Sequence, residues 1–173
     1  MTDKQEKILA AALELFASEG YAATPTSKIA KKAGVSEGLI FRHFENKRGL
    51  LDALMNEAEV RLAEIFGPVL FESDARLVIR KTIEIPFIIE ESEFDFWKLQ
   101  FMLKWQQDYN KPDKMKPITD KLAAAFTDLN YQEPENEAML LNLIIETIST
   151  EILKGNLDQS DTIREFLLKK YNV

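Results

Sequence analysis

Residues 8–51 read ILAAALELFASEGYAATPTSKIAKKAGVSEGLIFRHFENKRGLL, and this stretch decides the fold. Its apolar residues recur at helical spacing, and no sustained alternation of apolar and polar residues indicates a strand. A first helix is predicted from about residue 3 to Glu19, with Gly20 where a left-handed C-terminal cap is favoured. The stretch therefore opens with an amphipathic helix whose apolar stripe needs partners.

Two short helices follow, joined by Ala33-Gly34-Val35. The first is predicted to open at Thr24-Pro25, a capping hydroxyl followed by a proline at the first helical position, and to end near Gly34. The second opens at Ser36 and runs to about Phe44. Short helices joined by a tight turn that contains glycine are typical of the helix-turn-helix, although a structural helix corner has the same local pattern.

The remaining sequence predicts about six more helices. Helix four starts after Asn46, a capping residue, continues to about Phe66 and stops at Gly67-Pro68. The later helices are predicted at about 74–91 with Pro86 as a kink or break, 93–109, 115–130, Pro134 to Leu153, and from a Ser160 cap to Tyr171. The fold class is therefore all-α, with about nine helices. A three-helix head (residues 1–48) is joined by helix four to a helical body (residues 49–173).

Charge is unevenly distributed along the chain. Residues 1–48 hold eight Lys and Arg against six Asp and Glu, a net charge of +2. Since the net charge of the whole chain is −7, residues 49–173 carry a net charge of −9. This pattern fits a polyanionic partner that contacts the head alone, and chance variation along the chain explains it equally well.

The chain has no cysteine, which excludes disulfides and thiolate metal sites and suits a reducing cytosol. No run of 18 apolar residues and no signal-peptide core are present, so we expect a cytoplasmic protein without a membrane span.

The head has a family resemblance. Its recognisable elements are Ala11-Ala12, Leu15-Phe16, Gly20-Tyr21, Thr24, Ile29-Ala30, Ala33-Gly34-Val35-Ser36, Gly38, the aromatic run Phe41 to Phe44, and Lys47. With this spacing the stretch closely resembles the DNA-binding head of the tetracycline-repressor (TetR) family of bacterial regulators. The resemblance covers about a quarter of the chain. It implies that the third helix reads DNA, and that the body binds a small effector and forms a homodimer. It also implies a repressor that effector binding usually releases from DNA.

The candidate DNA-binding residues follow from this head. They are Thr24, Thr26, Ser36, Glu37, Gly38, Leu39, Phe41, Arg42, His43 and Lys47. Arginine bonded to guanine is the commonest specific base contact, and Arg42 is also well placed for phosphate. Ser36 and His43 are interpreted as phosphate contacts, with a plain surface or partly packed histidine as the alternative for His43. Lys47 lies where the start of helix four attracts phosphate. Thr24 and Thr26 could also donate to phosphate, with a purely capping role as the alternative for Thr24.

Four positions depart from the family pattern or leave their role open. At Phe41 and His43 the family often has tyrosines that reach phosphate, and Phe41 has no donor. Leu39 stands where a small or hydroxylated residue is common, and it could touch a thymine methyl or simply pack. Glu37 often corresponds to lysine, so an acid there costs affinity or selects cytosine. Which bases are read is therefore left open.

The body offers a candidate effector pocket. Aromatic residues are concentrated between Phe71 and Trp105, and large rings facing one another favour an apolar ligand site, although plain core packing explains each ring singly. Gln100 and Thr147 are two further polar side chains that could serve such a ligand. The pocket residues predicted are Phe87, Phe94, Trp97, Phe101, Trp105 and Asn142. That this region holds the pocket is what the resemblance implies, with a small, largely apolar effector.

The last two predicted helices are candidates for the dimer interface. The Pro134–Leu153 helix has one apolar face, widened by Met139, Leu140 and Leu143 beyond what a one-sided surface helix needs. The interface residues predicted are Leu141, Ile144, Ile148, Ile152, Ile163, Phe166 and Leu167. The alternative is that these helices only close the monomer core. A two-fold dimer predicts a near-palindromic DNA operator.

The sequence argues against two other functions. An enzyme is disfavoured because the chain has no thiol nucleophile, no metal-ligand spacing and no phosphate-cradling loop, and its one histidine lies in the third helix. No catalytic residue, metal site or cofactor is therefore predicted. A helical carrier for apolar small molecules, with no DNA binding, is the alternative function, and the helix-turn-helix pattern argues against it.

Overall fold

The computed structural model describes residues 1–104, 115–158 and 161–173, and over these residues all regular elements are helices. The nine α-helices of the described chain are α1 (Asp3–Glu19), α2 (Thr26–Ala33), α3 (Glu37–Phe44), α4 (Lys47–Leu70), α5 (Ala75–Glu84), α6 (Phe94–Leu103), α7 (Lys116–Asp128), α8 (Pro134–Leu153) and α9 (Asp161–Tyr171). Short 3₁₀ turns occupy Ile85–Phe87 and Glu91–Glu93. The predicted all-α class is confirmed. None of the described helices is long and apolar enough to cross a membrane.

Most predicted helix limits agree with the structure, but the end of helix four does not. The prediction that helix four stops at Gly67-Pro68 is wrong, because α4 continues to Leu70 with Pro68 inside its last turn. Pro68 has no N–H to donate to the carbonyl oxygen of Glu64, and the disturbance stays local because only two residues of α4 follow it. The predicted break of the 74–91 segment at Pro86 is confirmed, because α5 ends at Glu84 and Pro86 lies in the 3₁₀ turn that follows. The predicted Ser160 cap and residues 105–109 of the sixth helix lie outside the described residues.

The described chain forms two compact units. The first contains residues 1–61 and 92–104, so α6 belongs with α1 to α3 and the first part of α4. Its buried core consists of Ile8, Leu9, Ala11, Ala12, Leu15, Phe16, Ile29, Ala30, Ile40, Leu50, Leu51, Leu54, Leu99 and Leu103. Leu99 and Leu103 come from α6, which packs against α1. Burial of these side chains removes apolar area from water and stabilises the unit by about 25 cal/mol for each Å².

The second unit contains residues 62–91 together with the described residues from 115 onward. Helix α7 packs against both α5 and α8, and α9 packs against α5. The Phe126 ring lies at its centre, 4.8 Å from the Tyr131 ring and 5.6 Å from the Tyr171 ring between centroids. Burial, with Glu137 nearby, raises the pKa of Tyr171 to about 12. The predicted functional division into residues 1–48 and 49–173 concerns roles rather than contacts, and it stays a prediction.

The turn between α4 and α5 is held by one carboxylate. Glu72 accepts hydrogen bonds from the backbone N–H groups of Ser73 at 2.8 Å and Asp74 at 3.1 Å, and from the Lys81 ammonium at 2.6 Å. Lys81 also donates to the carbonyl oxygen of Pro68 at 3.3 Å, which satisfies one of the terminal carbonyls of α4. These donors lower the pKa of Glu72 to about 2, with the Lys81 hydrogen bond as the largest cause.

This arrangement makes a pH-dependent prediction. Because the pKa of Glu72 is lower in the folded chain than its ordinary value of 4.5, its ionised form stabilises the fold above pH 4.5. That contribution is lost as pH falls through about 2. We expect Glu72→Gln to lower the free energy of unfolding at pH 6, and the difference from the native chain to shrink steadily below pH 4.5. Urea unfolding at several pH values measures it, and Lys81→Met should show the same pH window. A difference independent of pH would contradict the assignment.

Candidate DNA-binding site

Helices α2 and α3 are joined by a turn that only a left-handed backbone can make. Gly34 has φ 67° and ψ 35°, a conformation that costs glycine little and other residues more. Its N–H and that of Val35 donate back to carbonyl oxygens of the last turn of α2, with the Val35 bond to Ala30 at 3.0 Å. The predicted turn between the two helices is therefore confirmed as a helix-turn-helix.

The buried sides of α2 and α3 hold the turn between them against the core of the first unit. Ile29 and Ala30 of α2 and Ile40 of α3 are buried in the core that α1 completes, and Leu39 is half-buried against the same core. Of the two roles left open for Leu39, packing is the one that the structure shows. Burial of Ile40 orients α3 so that its other faces are turned outward.

The outward face of α3 presents three of the predicted residues. Gly38, Phe41 and Arg42 are exposed, and Phe41 and Arg42 follow Gly38 by about one helical turn. Phe41 is 47% exposed, a large fraction for an aromatic ring. His43 is half-buried, with its ring 6.3 Å from the Phe44 ring. An exposed aromatic ring beside an arginine on a short helix is a surface that suits the apolar and polar edges of base pairs.

The starts of α2 and α3 are linked by a side-chain hydrogen bond. The hydroxyl of Thr26 donates to Oε1 of Glu37 at 2.6 Å. Glu37 is the first residue of α3, where a negative charge is favoured by the helix dipole. In the described chain this carboxylate therefore braces the two helices, which gives the acid a structural role at a position where the family often has lysine.

Thr24 does not take its predicted place as a cap. Pro25, rather than Thr24, is the residue before α2, and it makes no side-chain capping bond. Thr24 is 0% exposed, and its one hydroxyl proton is directed at the carbonyl oxygens of Gly20 at 2.9 Å and Leu15 at 3.3 Å. The capping prediction is wrong, because Thr24 instead satisfies carbonyls at the end of α1. Its predicted phosphate contact stays a prediction.

Ser36 and Asn46 occupy the positions before α3 and α4. Ser36 is at the predicted cap position of α3, yet its hydroxyl makes no capping bond within the described chain and is exposed. Asn46 does cap α4, because its Oδ1 accepts from the N–H of Gly49 at 3.0 Å. The Ser36 hydroxyl thus keeps its hydrogen-bonding capacity for a phosphate oxygen.

Lys47 is positioned by the loop after α1. Its Nζ donates to the carbonyl oxygen of Ala22 at 3.1 Å and lies 4.5 Å from the centre of the Tyr21 ring. Partial burial lowers the pKa of this ammonium group. The contact directs the charge toward the α1–α2 loop, where it can meet a phosphate at the edge of the surface formed by α3.

The remaining charges of α2 and α3 divide into paired and free groups. Lys28 is paired with Glu19 at 2.5 Å and Lys32 with Glu14 at 2.6 Å, so these lysines chiefly neutralise α1. Within residues 1–61, all of which are described, Lys31 and Arg42 have no ion pair and are exposed. Of the side chains on α2 and α3, these two cations are therefore the ones available to a polyanion.

A glycine that sequence reasoning missed shapes the corner between α3 and α4. A Cβ atom on residue 49 would overlap the carbonyl oxygen of Phe44 and lie 3.0 Å from its carbonyl carbon. Glu45, between the two helices, has φ 65° and ψ −46°, an uncommon conformation for a residue with a side chain. Only glycine at 49 permits this close approach, and no local signal in the sequence distinguishes it from an ordinary helical glycine.

The predicted pocket residues are distributed over both units. Phe94, Trp97 and Phe101 lie on α6 in the first unit, while Phe87 and Asn142 belong to the second. Trp97 is buried and the other two rings of α6 are half-exposed. The amide of Asn142 donates to the hydroxyl of Thr119 at 2.8 Å. Trp105 lies outside the described residues.

The predicted dimer residues separate into core and surface. Four of them are buried within the chain itself, namely Leu141, Ile148, Ile152 and Leu167. The face of α8 that holds the first three is occupied within the second unit, so it is not a free surface. Ile144 and Ile163 are half-buried, and Phe166 is 61% exposed. The exposed apolar residues of α8 are instead the set that widens its stripe: Met139, Leu140 and Leu143.

The fold and this surface define a class: a helix-turn-helix domain combined with further helices. Residues 8–54 match the family model described as "Bacterial regulatory proteins, tetR family". Over these residues, the chain is similar to the TetR family of bacterial regulatory proteins.

Individual relatives show the same similarity. The uncharacterized HTH-type transcriptional regulator YvkB of Bacillus subtilis is 49% identical over 57 residues, which cover 33% of this chain and 30% of that protein. The curated relative is thus matched over less than a third of its length. A TetR-like transcriptional regulator from Rhodococcus sp. RHA1 has the same fold, with a TM-score of 0.83 and 19% identity over 97% of this chain and 93% of that one. A transcriptional regulator from Saccharomonospora viridis, in complex with choline, matches with a TM-score of 0.74 and 19% identity, over 99% and 97% of the two chains.

Proposed function

We propose that this chain is a sequence-specific DNA-binding transcriptional regulator that acts as a homodimer on a near-palindromic operator. The observation that carries the proposal is α3, which is anchored by Ile40 and presents Gly38, Phe41 and Arg42 outward. The relatives named above are regulators rather than enzymes. The predicted alternative, a helical carrier without DNA binding, has no use for such a surface.

The direct test is binding to the DNA upstream of the chain's own gene, compared with a scrambled duplex of equal length. Fluorescence anisotropy at several salt concentrations measures both affinity and the number of phosphates neutralised. We expect tight binding to one site and weak, salt-sensitive binding to the scrambled duplex. Equal weak binding to both duplexes would favour the carrier.

Arg42 and Lys47 should affect DNA binding in different ways. Arg42→Ala removes a base contact, so we expect a loss of roughly 1–3 kcal/mol and a relaxed preference at one base pair. Lys47→Ala removes a phosphate contact, so all sequences should weaken about equally and the salt slope should fall by about 1. Lys121→Ala, on α7, is the control and should change neither quantity. If Arg42→Ala leaves affinity and preference intact, α3 is not the reading helix.

A small, largely apolar effector is proposed to control this binding. The support comes from α6, whose two sides serve different purposes. Leu99 and Leu103 pack into the core of the head, while Phe94, Trp97 and Phe101 form a separate aromatic stripe. A related structure of this fold contains choline, so the fold accommodates a small molecule. A ligand that prefers one position of α6 would alter the packing of α1, and its effect on DNA binding must be reciprocal.

A further inference from the structure

Helix α6 contains a buried hydrogen-bond donor that is not used by the described chain. Trp97 is 6% exposed, and its Nε1–H is buried without a hydrogen-bond partner among the described residues. A buried N–H without an acceptor costs about 1–3 kcal/mol, so such groups are rare and call for an explanation. The indole is packed in place, since its ring meets that of Phe96 edge to face with centroids 5.1 Å apart.

A second polar group lies beside this donor. Gln100 follows Trp97 by one turn, and its half-buried amide donates at 3.3 Å to the sulfur of Met55, a weak acceptor. Phe94 and Phe101, one turn before and after Trp97, are half-exposed. The stripe therefore combines accessible aromatic walls with one orphaned donor and one weakly satisfied amide.

The charges around this stripe disfavour a negatively charged ligand. Arg61 is ion-paired with Glu93 at 3.3 Å, and its guanidinium lies 4.7 Å from the centre of the Phe96 ring. At 100° per residue, Lys98 lies on the side of Trp97 away from Gln100, and Lys104 is an exposed residue two turns further on. A carboxylate beside Trp97 would lie one helical turn from the carboxylate of Glu93, and burying two like charges close together is costly.

We propose that the effector is an uncharged aromatic or long apolar molecule with a carbonyl-type acceptor, which accepts a hydrogen bond from Trp97 Nε1–H and contacts the amide of Gln100. This proposal rests on the proposed effector control and names the chemical class that the same site takes. The apolar body of the ligand lies along Phe94 and Phe101. The hydrogen bond, rather than the apolar contact, distinguishes one flat molecule from another.

The test uses two probes of nearly equal shape. The first is 2-acetylnaphthalene, a ketone, and the second is 2-isopropenylnaphthalene, in which a methylene group replaces the carbonyl oxygen. Calorimetric titration of the DNA-free chain gives both dissociation constants. Trp97→Phe keeps an aromatic ring and removes the donor, so we expect the preference for the ketone over the alkene to fall roughly tenfold. Phe101→Leu, which removes apolar contact alone, should weaken both probes by similar factors.

A spectroscopic readout makes the test independent of the variant's stability. The native chain has two tryptophans, so the Nε1–H signal of Trp97 is the one that disappears in Trp97→Phe. In the proton NMR spectrum, the Nε1–H signal of Trp97 should move downfield when the ketone binds and change little when the alkene binds. The proposal is overturned if the ketone does not bind, if the preference survives Trp97→Phe, or if both probes shift the signal alike. Operator binding is measured separately on the native chain. If the chain does not bind its operator but still prefers the ketone, the proposed regulator function is rejected and the ligand site at Trp97 is retained.

Discussion

Replacing Leu143 with Arg is expected to convert the proposed dimer into a folded monomer. Leu143 is 52% exposed on α8, beside the similarly exposed Leu140, and Phe166 on α9 is 61% exposed. In a two-fold dimer each substitution places two unpaired charges in the interface, one from each protomer. An unpaired buried charge costs several kcal/mol, so the dimer dissociation constant should rise on the order of a thousand-fold.

Sedimentation at micromolar concentration distinguishes the two states, and Phe166→Arg should give the same result. Val60→Arg is the matched control, because Val60 is equally exposed on α4 and outside the proposed interface. Ile148→Arg is expected to unfold the chain instead, because Ile148 is 7% exposed and lies in the core. The interface is misplaced if the Leu143→Arg, Phe166→Arg double variant stays a dimer with an unchanged unfolding midpoint.

The second large effect is expected at Gly49. Replacing a helical glycine with alanine usually stabilises a helix by up to about 1 kcal/mol, because alanine loses less backbone entropy. At Gly49 the sign should be reversed, since the added Cβ would overlap the carbonyl oxygen of Phe44. Because that obstacle is backbone, the α3–α4 corner must open, at a cost of about 1–3 kcal/mol or more. Displacement of α3 should also weaken operator binding.

Gly38→Ala is the matched control for stability. Gly38 is also helical, and nothing lies within 4 Å of the Cβ that alanine would add. We expect Gly38→Ala to raise the free energy of unfolding slightly and Gly49→Ala to lower it clearly, both by urea titration at pH 7. A stabilising effect of Gly49→Ala would show that the corner is not as tight as described.

Local signals account for what could be predicted about the head. The left-handed Gly34 and the Asn46 cap act through hydrogen bonds to residues at most four positions away. Such signals are legible in sequence because the partners are close along the chain. The capping prediction for Thr24 fails because its hydroxyl also has a distant partner. One of the two carbonyl oxygens that it reaches belongs to Leu15, nine residues earlier.

The sequence by itself determined that the chain is helical, where its turn lies, and that α6 and α8 have more apolar surface than one contact needs. Only the tertiary structure decided which side of each helix meets which neighbour. Leu99 and Leu103 join the core of the head, and the Leu141 side of α8 is buried in the chain while Leu143 is left exposed. Periodicity reports that a face is apolar, whereas its partner depends on contacts between residues far apart in sequence. The role of Gly49 could not be predicted for the same reason. A side chain is excluded there by the position of the Phe44 carbonyl in space.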